Sequence, residues 1–260
     1  MSKADIISAI DIGSSKISCL ITSPSGSSEK INVIGVSTSV SKGIRKGQVI
    51  DIDEAVSAIT DCVEAAERMA GLSINKAFVS VSGEHIQSQN SNGVVAVTEP
   101  ESEITKEDIF RVIEAARAVS LPSSREIIHV LPREFVVDSQ KNIKDPVGMT
   151  GIRLEAEAHL ITGSSTANKN IKKCVTALGV DVSGLFFTAL ASALAVLTDT
   201  EKELGVVLVD IGGGTTSITI FIEGACGFSA VLPIGAKNIT NDLAIGLRIG
   251  LDSAEKIKQH

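Results

Sequence analysis

The sequence predicts an α/β fold made of two weakly similar halves. Residues 8–21 (SAIDIGSSKISCLI) and 206–221 (VVLVDIGGGTTSITIF) share an apolar run, an Asp-Ile-Gly turn with small or hydroxyl residues, and a second apolar run. Strand-like runs elsewhere alternate with helices whose apolar residues recur every three or four positions. The core is aliphatic, because 43% of the residues are hydrophobic and only 3% are aromatic. Such a composition suits helices packed on sheets.

The composition also excludes several classes of function. The 260 residues carry a net charge of −7, with 24 Lys and Arg against 31 Asp and Glu, and no basic run exceeds two residues. We therefore expect no nucleic-acid partner. No apolar segment approaches the length of a membrane helix, and the N-terminus lacks a secretory signal pattern. These features predict a cytoplasmic protein that does not span the membrane.

Neither the cysteines nor the histidines indicate a metal or catalytic site. The four cysteines lie far apart among apolar residues and form no C-x-x-C pair, which predicts buried free thiols in a reducing compartment. Three histidines fall on or near predicted strands, and we expect them to be structural. They are His85, His129 and His159.

The first half is predicted to begin with three strands, at residues 6–12, 17–22 and 31–38. The next segment, DIDEAVSAITDCVEAAERMAG, has apolar residues in steps of three and four and ends at Gly71, which predicts a helix with a glycine C-cap. KAFVSVSG then returns as a strand. The predicted order is therefore three strands, a helix and a strand.

Residues 84–160 are predicted to form an insertion with βαββ content. A short strand at 93–98 precedes a helix that begins at Thr105 as N-cap, with Asp108 three residues on. EIIHVLPREFVVD follows as a strand that Pro132 interrupts, so this strand is expected at a sheet edge or at a bulge. A long strand over 152–162 completes the insertion.

After the insertion, STANKNIKKCVTALG is predicted to be a helix and VDVSGLFF a strand. TALASALAVL is nearly all apolar, and we expect a helix buried between layers. The glycine-rich hairpin and the strand CGFSAVLPIG follow. The order of elements that opens the first half, a hairpin followed by another strand, therefore begins again.

The two matching turns predict a phosphate site. Glycines and small residues in a tight turn allow consecutive backbone N–H groups to face one anion. An aspartate before each turn can hold Mg²⁺ through water. A single Asp-Ile-Gly turn is often a plain hairpin, but two copies in corresponding places favour a Mg-nucleotide clamp. The residues concerned are Asp11, Gly13, Ser14, Ser15, Lys16, Asp210, Gly212, Gly213, Gly214, Thr215 and Thr216, with Asp11 and Asp210 as the carboxylates for Mg²⁺.

One further charged pair has two interpretations. Glu255 and Lys258 in LDSAEKIKQH share a helix face at i and i+3. They are either a solvated ion pair or ligands of a ribose.

These motifs resemble known families. DIGSSKI and VDIGGGTTSI resemble the two phosphate motifs of the actin, Hsp70 and sugar-kinase superfamily, and AEKIK resembles the nucleotide-contacting helix of its bacterial actins. More specific are KGIRKGQVIDID, VSGEHI, HVLPREFVVD, DPVGMTGIRLEAEAHLITG and ALASALAVLTDTEKELG. Together these stretches are similar to the FtsA family of cell division proteins, from about residue 7 to the end.

The resemblance implies an actin-like (ribonuclease H-like) fold of two lobes with ATP and Mg²⁺ between them. Residues 1–83 and 161–188 correspond to the first lobe, 84–160 to the inserted subdomain, and 189–260 to the first part of the second lobe. By position, the residues of both turns line the phosphate loops, and Glu255 and Lys258 reach the ribose or base. The implied protein is an adaptor with at most weak ATPase activity.

The resemblance also implies partners and a location. Proteins of this family tether FtsZ filaments to the cytoplasmic face of the inner membrane, polymerise head to tail and recruit later division proteins. The contact with later division proteins is expected through the insertion at residues 84–160. Because the chain ends at His260, within the expected second lobe, membrane contact is expected to depend on a C-terminal helix outside this sequence. The alternatives are another actin-like adaptor, of the pilus-assembly or rod-shape type, or a sugar or acetate kinase of the same fold.

Overall fold

The first part of the chain forms a five-stranded sheet with the strand order β11-β6-β1-β2-β3. The computed structural model describes residues 6–24, 31–97 and 103–260. Strands β1, β2 and β3 form an antiparallel meander, and β6 lies parallel to both β1 and β11. The bounds of the five strands are β1 (Ile7–Ile12), β2 (Lys16–Pro24), β3 (Ile31–Val40), β6 (Lys76–Val81) and β11 (Asp181–Phe187).

Two helices pack with this sheet, and one of them ends at the predicted glycine. Helix α1 (Ile52–Ala70) begins where the Asp51 side chain accepts a hydrogen bond from Glu54 N, and it ends at Gly71 with φ 70°. Helix α3 (Ser165–Thr176) contacts α1 and β11. A short hairpin of β4 (Ile44–Arg45) and β5 (Gln48–Val49), which the sequence did not predict, precedes α1.

The middle of the chain forms a second sheet with the order β7-β10-β8-β9. Helix α2 (Lys106–Arg117) packs on β7 and β10 and has the predicted capping box between Thr105 and Asp108. Pro132 lies at a register shift between β8 and β10, so the predicted bulge is confirmed. The strands are β7 (Gln87–Ala96), β8 (Arg125–Val137), β9 (Gln140–Ile143) and β10 (Arg153–Ser164).

Two predictions for the middle segment were incomplete. Strand β7 begins at Gln87 rather than at residue 93, because its polar residues pair with β10 along their whole length. Thr98, the predicted end of that strand, lies outside the described residues. Strand β9 was missed because its four residues carry no apolar alternation. The segment therefore has one strand more than the predicted βαββ order.

The last part of the chain contains an antiparallel three-stranded sheet, β12-β13-β14, with helices before and after it. The pairing confirms the second glycine-rich hairpin. The elements are α4 (Thr188–Val196), α5 (Asp199–Leu204), β12 (Val206–Ile211), β13 (Thr216–Ile222), β14 (Ala225–Leu232), α6 (Ala236–Leu247) and α7 (Leu251–Gln259).

Helix α4 is less buried than its sequence predicted. Ala189, Leu190 and Ala193 are buried, but Leu194 is 57% exposed and Val196 is 67% exposed. The helix places one face on the strands, and no described residue covers the opposite face. The prediction that α4 is buried between two layers is therefore wrong for the face that carries Leu194 and Val196.

A polar contact joins the second sheet to the third. Ser88 Oγ on β7 donates to Ser229 O on β14 (2.7 Å), and the buried His159 on β10 contacts Ser229 Oγ through Nε2 (3.1 Å). Asn90 Oδ1 lies 2.7 Å from His159 Nδ1. An amide oxygen can only accept, so His159 Nδ1 donates to it. Burial lowers the pKa of His159 to about 4, so the imidazole is neutral at physiological pH and Nε2 accepts from the serine. This histidine is structural, as predicted.

The described chain confirms the expectation for the cysteines. All four cysteines are free and buried, and burial raises the pKa of the Cys19 thiol to about 12. Among the described residues, no helix has the length and apolar character needed to cross a bilayer.

Candidate functional site

The two matching turns lie against each other. The first joins β1 to β2, and the second joins β12 to β13. A Cβ added at Gly213 would lie 2.6 Å from Ser15 Cβ, and one at Gly214 would lie 2.9 Å from Ser14 Oγ. Side chains at these positions would therefore separate the turns. This close approach explains the glycines at positions 213 and 214.

A cavity of about 1290 Å³ opens where the turns meet. Its wall combines both turns with the end of β6, the start of α4, and helices α6 and α7. The cavity is large enough for a cofactor-sized ligand. Residues from both ends of the chain therefore share one site.

Each turn presents a carboxylate held by a serine. Ser80 Oγ donates to Asp11 Oδ1 (2.5 Å), and Ser192 Oγ donates to Asp210 Oδ2 (2.9 Å). Ser80 Oγ also accepts from Ile12 N (3.0 Å), which fixes its hydroxyl beside the first turn. In each pair the serine orients the carboxylate through one oxygen.

Backbone donors complete the anion-binding character. Gly13 N and Gly212 N close their own turns by bonding Lys16 O (3.0 Å) and Thr215 O (2.8 Å). The next N–H groups in each turn donate no hydrogen bond to any described residue: those of Ser14, Ser15, Gly213 and Gly214. Such groups are suited to phosphate oxygens.

Helices α6 and α7 bring a charged pair to the same cavity. Lys258 Nζ lies 2.6 Å from Glu255 Oε2, and Thr240 Oγ1 donates to that oxygen at 2.5 Å. Hydrogen bonds from Lys258, then Thr240 and Gln259, lower the pKa of Glu255 to about 2. The carboxylate is therefore ionised at neutral pH and available to accept hydroxyl donors.

Most of the predicted site residues reach the cavity wall. Those on the wall are Asp11, Gly13, Ser14, Ser15, Lys16, Asp210, Gly212, Gly213, Thr215, Glu255 and Lys258. Gly214 and Thr216 do not line it. Gly214 packs against Ser14 and Lys46 N, and Thr216 Oγ1 donates to Ile234 O (2.8 Å). These two residues support the second turn, and their place in the binding surface stays a prediction.

Sequence reasoning missed several polar wall residues. Gly47 N, in the unpredicted β4–β5 hairpin, donates to Ser14 Oγ (2.9 Å). Ser82 Oγ lies 3.1 Å from Ser217 Oγ and 3.3 Å from Thr215 Oγ1, which links the end of β6 to the second turn. Ser80, Ser192 and Lys237 were also missed. The sequence signal for these serines was weak: small polar residues at the end of a strand or in an apolar helix.

The donor set fits a hydrated magnesium ion carried by a nucleotide. Mg²⁺ keeps several waters and uses one or two carboxylates together with phosphates. Asp11 and Asp210 supply two carboxylates on the cavity wall. Within the described ranges, no three His, Cys, Asp or Glu side chains form a metal-binding group. The carboxylates and the free N–H groups therefore suit a metal bound chiefly by a ligand's phosphates.

Comparison with known proteins identifies the family. A model described as the SHS2 domain inserted in FTSA matches residues 83–162, and a model described as Cell division protein FtsA matches residues 207–260. Cell division protein FtsA of Pseudomonas aeruginosa is 44% identical over 253 residues, and that of Bacillus subtilis is 42% identical over 259 residues. The chain belongs to the FtsA family of cell division proteins.

The match spans nearly all of this chain but only part of its relatives. The alignments cover 97% of the chain and 60% of the P. aeruginosa FtsA, and 100% of the chain and 58% of the B. subtilis FtsA. FtsA of Escherichia coli (strain K12) is 37% identical over 255 residues, again with 60% of its length covered. The chain thus spans about three fifths of these FtsA proteins.

Solved structures show the fold. The PilM-PilN type IV pilus biogenesis complex matches with a TM-score of 0.69 at 15% identity, covering 97% of this chain and 69% of that one. MreB 5 of Spiroplasma citri bound to AMPPNP matches with a TM-score of 0.54 at 13% identity, covering 98% and 62%. The fold is actin-like and α/β, with an FtsA-type insertion. This confirms the predicted fold class.

Proposed function

We propose that this chain forms the ATP-binding part of an actin-like adaptor of bacterial cell division. The observation that carries the proposal is the meeting of the two turns across one cavity, with Asp11 and Asp210 on its wall. Membership of the FtsA family supports the cellular role. In this proposal residues 1–83 and 161–188 form the first lobe, 84–160 the inserted subdomain, and 189–260 part of the second lobe.

Each group at the site has a defined role in the proposal. The free N–H groups of the turns bind phosphate oxygens, and the two aspartates hold Mg²⁺ through water. When bound, Mg²⁺ offsets the negative charge of the phosphates. Glu255 accepts from ribose hydroxyls, and Lys258 keeps that carboxylate ionised and oriented.

The site is proposed to bind nucleotide with at most weak hydrolysis. Its wall contains carboxylates, hydroxyls and lysines, and none of the described wall residues is a histidine or cysteine. Any hydrolysis would use a water molecule in the cavity. The nucleotide would then act mainly as a structural ligand that sets how the two lobes sit together.

The adaptor role is proposed from the family. The protein would bind FtsZ filaments at the cytoplasmic face of the membrane, associate with itself head to tail, and contact later division proteins through the 84–160 insertion. Membrane contact would be peripheral. The pilus, rod-shape and kinase alternatives share the fold, but the 83–162 match to the FtsA insertion favours the cell division role.

Calorimetric titration with Mg-ATP tests the nucleotide part. Asp210→Ala should weaken binding about tenfold or more, because a charged group beside the metal and phosphates is lost. Asp61→Ala, an exposed change on α1 away from the cavity, is the matched control and should bind as the wild type does. Equal affinities for the Asp210→Ala and wild-type proteins would contradict the proposed clamp.

The same proteins in a co-sedimentation assay with FtsZ polymers test the adaptor part. Wild-type protein and Asp61→Ala should pellet with the polymers. If the wild-type protein binds Mg-ATP but remains in the supernatant, the proposed nucleotide site stands. The proposed contact of this chain with FtsZ is then overturned.

A further inference from the structure

Lys237, in the first turn of α6, contacts both phosphate-type turns. Its backbone N–H donates to Gly213 O in the second turn (2.9 Å). Its Nζ crosses to the first turn and donates to Ser14 O (2.7 Å). One residue therefore links the two hairpins, which belong to different sheets.

The ammonium of Lys237 has no acidic partner among the described residues. No described carboxylate lies within ion-pair distance of its Nζ, whereas Lys258 on the same wall pairs with Glu255 at 2.6 Å. An ammonium carries three donors, and the neutral carbonyl of Ser14 takes one of them. Lys237 can therefore direct two donors and most of its charge to an anion.

The surroundings of this ammonium indicate which part of a ligand it meets. Lys237 Nζ bonds the carbonyl oxygen of Ser14. The N–H groups of Ser14 and of the next residue, Ser15, donate no hydrogen bond to any described residue. The facing turn offers the free N–H group of Gly213, which lines the same cavity. A lysine at this point faces the same space as these donors, where phosphate oxygens would lie. Glu255, on the ribose side in the proposed arrangement, is paired with Lys258.

We propose that Lys237 is a phosphate-binding residue that fastens the two lobes together around the nucleotide's phosphates. This inference rests on the proposed function, because it names a further ligand of the same site. Lys16, the lysine predicted from the sequence, lies on the wall but belongs to the first hairpin alone. Lys237 differs because its backbone is bound to one turn and its ammonium to the other.

If Lys237 binds phosphate, its substitution should weaken the binding of ligands that carry phosphates and spare the binding of ligands that lack them. Lys237→Gln should weaken Mg-ATP binding about tenfold to a hundredfold, the range expected when a charged hydrogen-bonding group is removed. The same change should leave adenosine binding within about twofold, since adenosine lacks phosphates. Lys237→Arg should recover most of the lost affinity. Calorimetry with each ligand measures all three effects.

Lys256→Gln is the matched control. Lys256 is an exposed lysine on α7 that does not line the cavity, so this change removes the same charge elsewhere. It should bind ATP as the wild type does. Thermal unfolding of each variant tests whether the fold is retained.

Three outcomes are distinguishable. Lys237→Gln binding ATP as tightly as Lys256→Gln would overturn the inference and leave the nucleotide site intact. Parallel loss of ATP and adenosine binding would assign Lys237 a purely structural role and also overturn it. Absence of ATP binding in the wild type would instead overturn the proposed function.

Discussion

Gly213 shows at the scale of one residue why glycine is needed where the second turn meets the first. Its φ is not in the left-handed region, so conformational freedom is not the reason. The reason is the first turn, whose Ser15 Cβ would lie 2.6 Å from an added Cβ. Gly235 reinforces the arrangement, because a Cβ there would lie 2.5 Å from Gly212 O. Close packing of neighbouring backbone segments therefore requires glycine at positions 213 and 235.

Gly213→Ala should therefore destabilise the protein. Separating the turns or shifting Ser15 is expected to lower the free energy of unfolding by about 1–3 kcal/mol, as overpacking does. Gly246→Ala is the control, since an added Cβ in this exposed part of α6 meets nothing within 4 Å. Urea unfolding measures both changes. A Gly213→Ala protein as stable as the wild type would show that the turns are not in contact in solution.

At the scale of elements, the local signals predicted some segments well and others poorly. Helices α1 and α2 have regular apolar spacing and the predicted caps. The β4–β5 hairpin has strands of two residues each, too short for any alternation to appear. Strand β7 begins with polar residues that only pairing with β10 makes into a strand. Short or polar strands depend on their neighbours more than on their own sequence.

The capping box of α2 gives the prediction at this scale. Thr105 Oγ1 accepts from Asp108 N (3.3 Å), and Asp108 Oδ2 accepts from Thr105 N (3.0 Å). Thr105→Ala should lower the free energy of unfolding by about 1 kcal/mol. Thr176→Ala, at the exposed C-terminal end of α3, should change it by less than about 0.5 kcal/mol. Denaturant unfolding compares the two, and an equal effect would show that the cap contributes nothing.

At the scale of the whole molecule, the buried His159 and the half-buried His129 join the inserted sheet to its neighbours. His129 Nε2 on β8 accepts from Phe187 N (2.9 Å) at the end of β11, and His159 contacts Ser229 on β14. Burial lowers the pKa of both histidines to about 4, with Arg133 adding to the effect at His159. Both imidazoles are therefore neutral at physiological pH. They act as hydrogen-bonding links between sheets.

These links predict an acid-sensitive fold. Between pH about 6.5 and about 4, the unfolded chain binds protons at His129 and His159 that the folded chain excludes. Stability should therefore fall as the pH is lowered through this window, by up to about 3 kcal/mol for each histidine, because one unit of pKa difference corresponds to about 1.4 kcal/mol. His159→Gln should show a shallower decline, whereas a control His260→Gln should decline as the wild type does. Identical pH profiles for all three proteins would contradict this prediction.

The sequence by itself determined the helices with regular apolar spacing, the two matching turns and the approximate position of the insertion. Residues such as Asp11, Asp210 and Glu255 were found because they stand in motifs with a recognisable order. Only the tertiary structure decided how those motifs are completed. Ser80, Ser192 and Lys237 are single polar residues with no local pattern, and their partners lie on other elements. Their roles follow from how the sheets pack, which brings distant parts of the chain within hydrogen-bond distance and is not encoded in any short stretch.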